Sequence, residues 1–244
     1  MIGDLGAADA TALAAMVAAG EVTPTELLDA ALAAVEARNP ALNAVVLVQE
    51  GVARKAIAEG LPVGPFRGVP FLIKDLGIEA RDFPSHNGSR LLANTVYPGD
   101  SAIFQRIKAT GVVTFGRTTS PEGGVGAATE SAVYGGPTRN PWNVAHTSGG
   151  SSGGAGAAVA AGIVSFAHGS DGGDRVYRLD PVSHRDGRSG QRTVQPRLLL
   201  HHNHVVDRRR RGSDNRGHLR GDDHRLPVSS ATTPDRPACP ATGW

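Results

Sequence analysis

Cysteine is almost missing from this chain: among 244 residues Cys239 is the one thiol. That excludes a disulfide framework, and it excludes a cysteine nucleophile or thiolate cluster from the first two thirds. A reducing cytoplasm is the simplest location for such a chain. Aromatic residues are scarce, at 5%. No uncharged apolar run reaches the length that a bilayer span needs. The opening stretch, MIGDLGAADATALAAMVAAGEV, lacks a basic segment and carries Asp4 and Asp9, so it does not read as a secretory signal.

The last third lacks more. Residues 174–244 contain no Lys, Glu, Ile, Phe or Met. They hold 14 Arg and 8 Asp, a net +6, whereas the first 173 residues hold 11 basic and 15 acidic side chains, a net −4. RRRR at 208–211 and HHNH at 201–204 stand among Gly, Pro, Ser and Asp. With so little to bury, the tail is expected to be disordered. The chain thus divides into a folded part, 1–173, and an Arg-rich tail, 174–244.

The folded part alternates helices and short apolar strands. Asp9 can cap a helix through Leu13, Met16 and Val17. Thr23-Pro24, with Glu26 three positions on from Thr23, fits a capping box, and the helix it opens should end before Asn39-Pro40. Asn43–Gln49 reads as a strand and Val52–Glu59 as a helix ended by Gly60. Gly68–Asp75 (GVPFLIKD) reads as an apolar strand that delivers a lysine at its end. Asp100-Ser101 can cap a helix over Ala102–Thr110, and Val112–Phe115 follows as a strand. A Gly/Ser turn leads into a helix, Ala155–Ala161, and Ile163–Ala167 reads as a buried strand. This alternation predicts an α/β fold with a mixed, mostly parallel sheet covered by helices.

Two features carry chemistry. Lys74 ends an apolar strand, where burying an ammonium is costly. It is either a snorkelling lysine paired with Asp75 or a desolvated amine able to act as a base. The second feature is TSGGSSGG, residues 147–154. No Gly-Lys-Ser/Thr follows, which disfavours a P-loop. Gly149-x-Ser151-x-Gly153 matches a nucleophile elbow in form, but that motif needs an acid and a histidine downstream. A serine served by a lysine relay needs neither, and Lys74 is available.

The stretches GVPFLIKDL (68–76), GRTTSPE (116–122), YGGPTRNPWN (134–143), TSGGSSGGAGAAVAAG (147–162) and AHGSDGG (167–173) together resemble the amidase signature family, over about residues 5–173. The resemblance implies the amidase signature fold, here its N-terminal part, and hydrolysis of carboxamides through a Ser–Ser–Lys triad. Lys74 matches the family's lysine, and Ser151 the bridging serine, which the family holds by a cis peptide. Ser152 neighbours it in the loop. Asp171, Gly172 and Gly173 match the turn whose N–H groups build the oxyanion hole. Arg139, Asn140 and Trp142 match a stretch expected to shape its loop. The resemblance implies no cofactor and no metal. It also implies a small-molecule amide as partner and is compatible with a homodimer. No membrane is expected as a partner, since no apolar run is long enough to span one, and nucleic acid is disfavoured because the basic residues follow no recognisable binding module.

The chain departs from the family at one point. The family's nucleophilic serine stands 24 positions after the bridging serine, and here that position holds Arg175, preceded by Asp174. A one-base shift explains both: Asp174 as GAT and Arg175 as CGN become GGA TCG, Gly-Ser, once a base is restored before them. Residues 174–244 are therefore expected to be a frameshifted or truncated continuation, and the chain as written to be inactive. Two other functions are open to the sequence. One is the ammonia-supplying subunit of a tRNA-dependent amidotransferase, although SDGG resembles the stand-alone amidases more than the SDTGG of those subunits. The other is nucleic-acid binding by the Arg-rich tail, which salt would weaken steeply.

Overall fold

A computed structural model of the chain describes residues 8–170 and the backbone of 203–207. All of these lie in the unit Met1–Arg211. Helix α1 (Ala10–Ala18) starts where Asp9 accepts the Ala12 N–H at 2.7 Å. Helix α2 (Pro24–Leu42) opens with the expected capping box: Thr23 Oγ1 accepts the Glu26 N–H at 3.2 Å, and Glu26 accepts the Thr23 N–H at 2.8 Å.

The α2 helix does not stop at Asn39 but carries Pro40 inside it. The end is held by side-chain bonds. Asn39 Oδ1 accepts the N–H groups of Ala44 and Val45, both at 2.8 Å, and Asn43 takes the left-handed conformation with its N–H on the Asn39 carbonyl. Those bonds offset the one that a proline cannot make.

Strand β1 (Val45–Val48) and helix α3 (Glu50–Glu59) follow, then β2 (Pro70–Lys74), α4 (Ala102–Ala109) and β3 (Val113–Thr118). Two small antiparallel hairpins, β4 (Glu130–Ser131) with β5 (Gly136–Pro137) and β6 (Arg139–Asn140) with β7 (Asn143–Thr147), fill a stretch in which the sequence predicts no strand. Their strands are two to five residues long, too short for a period-2 pattern to show. Helix α5 (Gly153–Ala160) and strand β8 (Phe166–Ser170) complete the continuous part. The last strand begins three residues later than the apolar run suggests. Ile163 is still tied to the end of α5, its N–H on the Ala158 carbonyl at 2.9 Å.

The main sheet has the order β1-β3-β2-β8-β9, β9 being Asn203–Asp207. β2 runs parallel to both β3 and β8, while β1 and β9 lie antiparallel at the edges, so the sheet is mixed. The expectation of a tail without ordered structure meets this one strand, paired residue for residue with β8. The rest of the tail lies outside the described residues.

All five residues of β2 and all six of β3 are buried. Leu27, Leu28 and Ala31 of α2 belong to the same core, as do Phe71, Phe115 and Phe166. Phe166 packs its ring at 4.8 Å from Phe71 and 5.0 Å from Phe66. Among the described residues no helix is long and apolar enough to cross a membrane.

Candidate active site

Central position makes β2 apolar, and its last residue carries the exception. Lys74 is fully buried, so it does not snorkel to water. Its amine lies 2.8 Å from Ser151 Oγ, 3.1 Å from Ser170 Oγ and 3.4 Å from the Ser170 carbonyl. Three elements make this meeting: β2 delivers the lysine, the Gly/Ser turn before α5 delivers Ser151, and the end of β8 delivers Ser170. The peptide bond between Gly150 and Ser151 is cis.

Ser152, next in the turn, faces the same strand end. Its hydroxyl accepts the Ser170 N–H and donates to the Ser170 carbonyl, both at 3.1 Å. Thr129 ties the turn from the other side, donating to the Gly149 carbonyl at 2.7 Å and accepting the Gly153 N–H at 3.0 Å. The glycines that open α5 are there for close approach. A Cβ on Gly153 would lie 2.3 Å from Thr129 Oγ1, and one on Gly154 would lie 2.5 Å from the Thr119 backbone nitrogen.

Behind Lys74 lies a buried charged cluster whose members stand in the sequence motifs, although the motifs alone assign the cluster no role. Arg117 of β3 is fully buried, and its guanidinium donates to the carbonyls of Lys74 (3.0 Å), Ile78 (3.0 Å) and Phe83 (2.7 and 3.0 Å). Its Nε lies 3.7 Å from Asp75, also fully buried. Asp75 accepts the His86 N–H at 3.1 Å and the Tyr134 hydroxyl at 2.7 Å. It therefore serves this cluster. Burial lowers the basicity of Arg117, an effect that the Asp75 carboxylate opposes. Burial also pushes the Tyr134 phenol up from its ordinary value, and the Asp75 charge pushes it further. The sequence signal for Arg117 is weaker than that for Lys74: in VTFGRT the charge follows a run broken by Thr114 and Gly116.

Of the other residues singled out, Arg139, Asn140 and Trp142 sit together on the β6–β7 hairpin. Arg139 donates to the Val144 carbonyl at 3.1 Å, and Asn140 Oδ1 accepts the Trp142 N–H at 2.9 Å. Asp171, Gly172, Gly173 and Arg175 lie outside the described residues.

A model of the Amidase family matches residues 26–176. The 6-aminohexanoate-cyclic-dimer hydrolase of Paenarthrobacter ureafaciens is 43% identical over 67% of this chain and 33% of its own length. A glutamyl-tRNA(Gln) amidotransferase subunit of Acidothermus cellulolyticus is 38% identical over 74% of this chain and 37% of its own. A solved structure of 6-aminohexanoate cyclic dimer hydrolase complexed with substrate superposes with a TM-score of 0.65 at 42% identity, covering 69% of this chain and 34% of that one. The described part of the chain thus shares its fold with that solved hydrolase structure. The chain belongs to the amidase signature family, and it spans about a third of the length of the curated relatives that it matches.

Proposed function

We propose that residues 1–173 are the N-terminal part of an amidase that hydrolyses the C–N bond of a small carboxamide through a serine acyl-enzyme. The observation that carries this reading is the buried contact of 2.8 Å between the Lys74 amine and Ser151 Oγ. In the proposed reaction Lys74 acts as the neutral base. It takes the Ser151 proton while Ser151 takes the proton of a nucleophilic serine. That serine attacks the amide carbonyl, and the N–H groups of the turn at Asp171–Gly173 receive the oxyanion. The intermediate collapses as the C–N bond breaks. The proton returns through Ser151 to the leaving nitrogen. Water, deprotonated by the same relay, then releases the acid and restores the serine.

The nucleophile is the serine that a restored reading frame places at position 175. In the chain as written Arg175 stands there, and a guanidinium, protonated at all ordinary pH, cannot attack a carbonyl. The written chain is therefore inactive and its frame-restored counterpart active. The test is resequencing of the coding DNA around Gly173, followed by assay of both chains on a simple aryl amide. Robust hydrolysis by the written chain, abolished by Lys74→Ala, would overturn the missing-nucleophile reading. A confirmed frame with no family-like continuation in either other frame would overturn the frameshift. The similarity to an amidotransferase component supports a second reading, in which the amide is glutamine and the product ammonia is passed on. Glutaminase activity of the frame-restored chain in preference to aryl-amide hydrolysis would favour it.

A further inference from the structure

The position of an amine depends on the main chain that carries it, and the Lys74 main chain is held in an unusual way. Lys74 is the last residue of β2, and the register of β2 with β8 is carried by one residue pair, Leu72 with Ala167. Two residues further on, the Lys74 N–H meets a side chain of β8: it donates to His168 Nδ1 at 3.4 Å. On the other side the Lys74 carbonyl accepts from Arg117 at 3.0 Å. Both of these side chains are buried, Arg117 at 0% and His168 at 2% exposure.

We infer that Arg117 and His168 are positioning residues for the Lys74 amine: beyond the one β2–β8 pair they bind its carbonyl and its N–H, adding to the pairing of Lys74 with Thr118 of β3. The reading rests on Lys74 being the base of the proposed reaction. A lysine side chain is long and has several rotors, so its reach is fixed only if its Cα is fixed. The two hydroxyls that receive the amine lie at 2.8 and 3.1 Å, so a displacement of the strand end by a fraction of an ångström would separate them. Strand β8 serves both ends of the lysine. His168 and Ser170 are two residues apart, hence on one face of the strand, and they take the main chain and the amine respectively. Arg117 serves from β3, and its remaining bonds to the Ile78 and Phe83 carbonyls keep the segment after Lys74 folded back against the same guanidinium.

The chain has three lysines, Lys55, Lys74 and Lys108, and the side chains of Lys55 and Lys108 are 73% and 49% exposed. They serve as internal references for competitive acetylation of the full 244-residue chain, read peptide by peptide by mass spectrometry. The chain as written should acetylate Lys74 far more slowly than the two references. His168→Leu should raise the Lys74 rate relative to the references about fivefold, the factor that corresponds to one hydrogen bond of ordinary net strength. His168→Asn, whose Oδ1 can take the place of Nδ1, should restore protection. Arg117→Met should expose Lys74 as well; should that chain fail to fold, the His168 pair decides alone.

Unchanged protection of Lys74 in the His168→Leu chain would overturn the inference. Equal exposure in the leucine and asparagine chains would overturn it too, because the acceptor atom would then be irrelevant. So would general unfolding of the leucine chain alone, seen as loss of circular dichroism, since His168 would then support the fold and not the amine. Amide hydrolysis is not read in this experiment, so its failure would leave the proposed reaction standing.

Discussion

The Ser152 hydroxyl and the Ser170 peptide exchange two hydrogen bonds, both at 3.1 Å. One side chain thereby stands in for a backbone partner at the end of β8 and binds that end to the turn carrying Ser151. Ser152→Ala should destabilise the chain by about 1 kcal/mol, the usual net worth of such a bond, with most of the loss at the β8 end. Urea unfolding gives the magnitude. An unchanged midpoint would mean that the strand end is held by other bonds.

The two glycines that open α5 should differ in how badly they tolerate a methyl group. On Gly153 the new Cβ would meet side-chain atoms of Thr129 and Ser148, and moving Thr129 Oγ1 aside gives up its two bonds to the turn. On Gly154 it would lie 2.5 and 2.6 Å from the backbone nitrogen and oxygen of Thr119, inside the core, where nothing can turn away. Gly153→Ala should cost about 2 kcal/mol, roughly one for each Thr129 bond, and Gly154→Ala about 3 kcal/mol or more, the upper end for overpacked cores. Thermal or urea unfolding of the two variants side by side reads the order, and the reverse order would contradict the packing described.

Tyr134 ties stability to alkaline pH. Its phenol is raised in the folded chain by burial and by Asp75. The folded state therefore holds this proton more tightly than the unfolded state does. Its contribution is fully present below the ordinary tyrosine value of about 10 and falls as pH rises past it. Urea unfolding between about pH 8 and pH 11, a range that brackets that value, should show the decline. Tyr134→Phe should flatten it while lowering stability near neutrality, because the hydroxyl bond to Asp75 is lost. An equal decline in both chains would show that other groups cause it.

In the frame-restored chain, Lys74→Ala and Ser151→Ala should each lower kcat by about 100-fold or more, the range for removal of a general base or its relay. The double variant should be no worse than the more damaged single one if both act on the one proton path proposed above. Steady-state kinetics on an aryl amide test this, and additive losses would separate the two residues into independent roles.

The helix starts and the apolar strands are legible in the sequence because each depends on local chemistry, whereas Lys74 and Ser151, 77 positions apart, are linked there only by the family resemblance. Asp9, Thr23 and Ser101 are capping residues beside apolar periods, and each does cap. Lys74 is a charge where a charge is costly. What is not legible depends on distant partners. The α2 helix passes through Pro40 with Asn39 bonded just beyond its end and the Asn43 side chain donating to the distant Tyr134 and Gly136 carbonyls, which no local rule foresees. Ser170 gives no signal in the sequence, because a serine at a strand end is ordinary until the fold brings a lysine to it. Arg117 is a charge in a mixed run and draws less notice than Lys74, and its role emerges only with the carbonyls of residues 74, 78 and 83 gathered around it.

That gathering has a dynamic consequence. The segment from Asp75 to Phe83 cannot lift away from β3 without leaving a guanidinium in apolar surroundings with its donors unmet. Its openings are then coupled to those of the strand that carries Arg117. Amide exchange should report the two as one cooperative unit, slower than the loop-like course of the segment suggests.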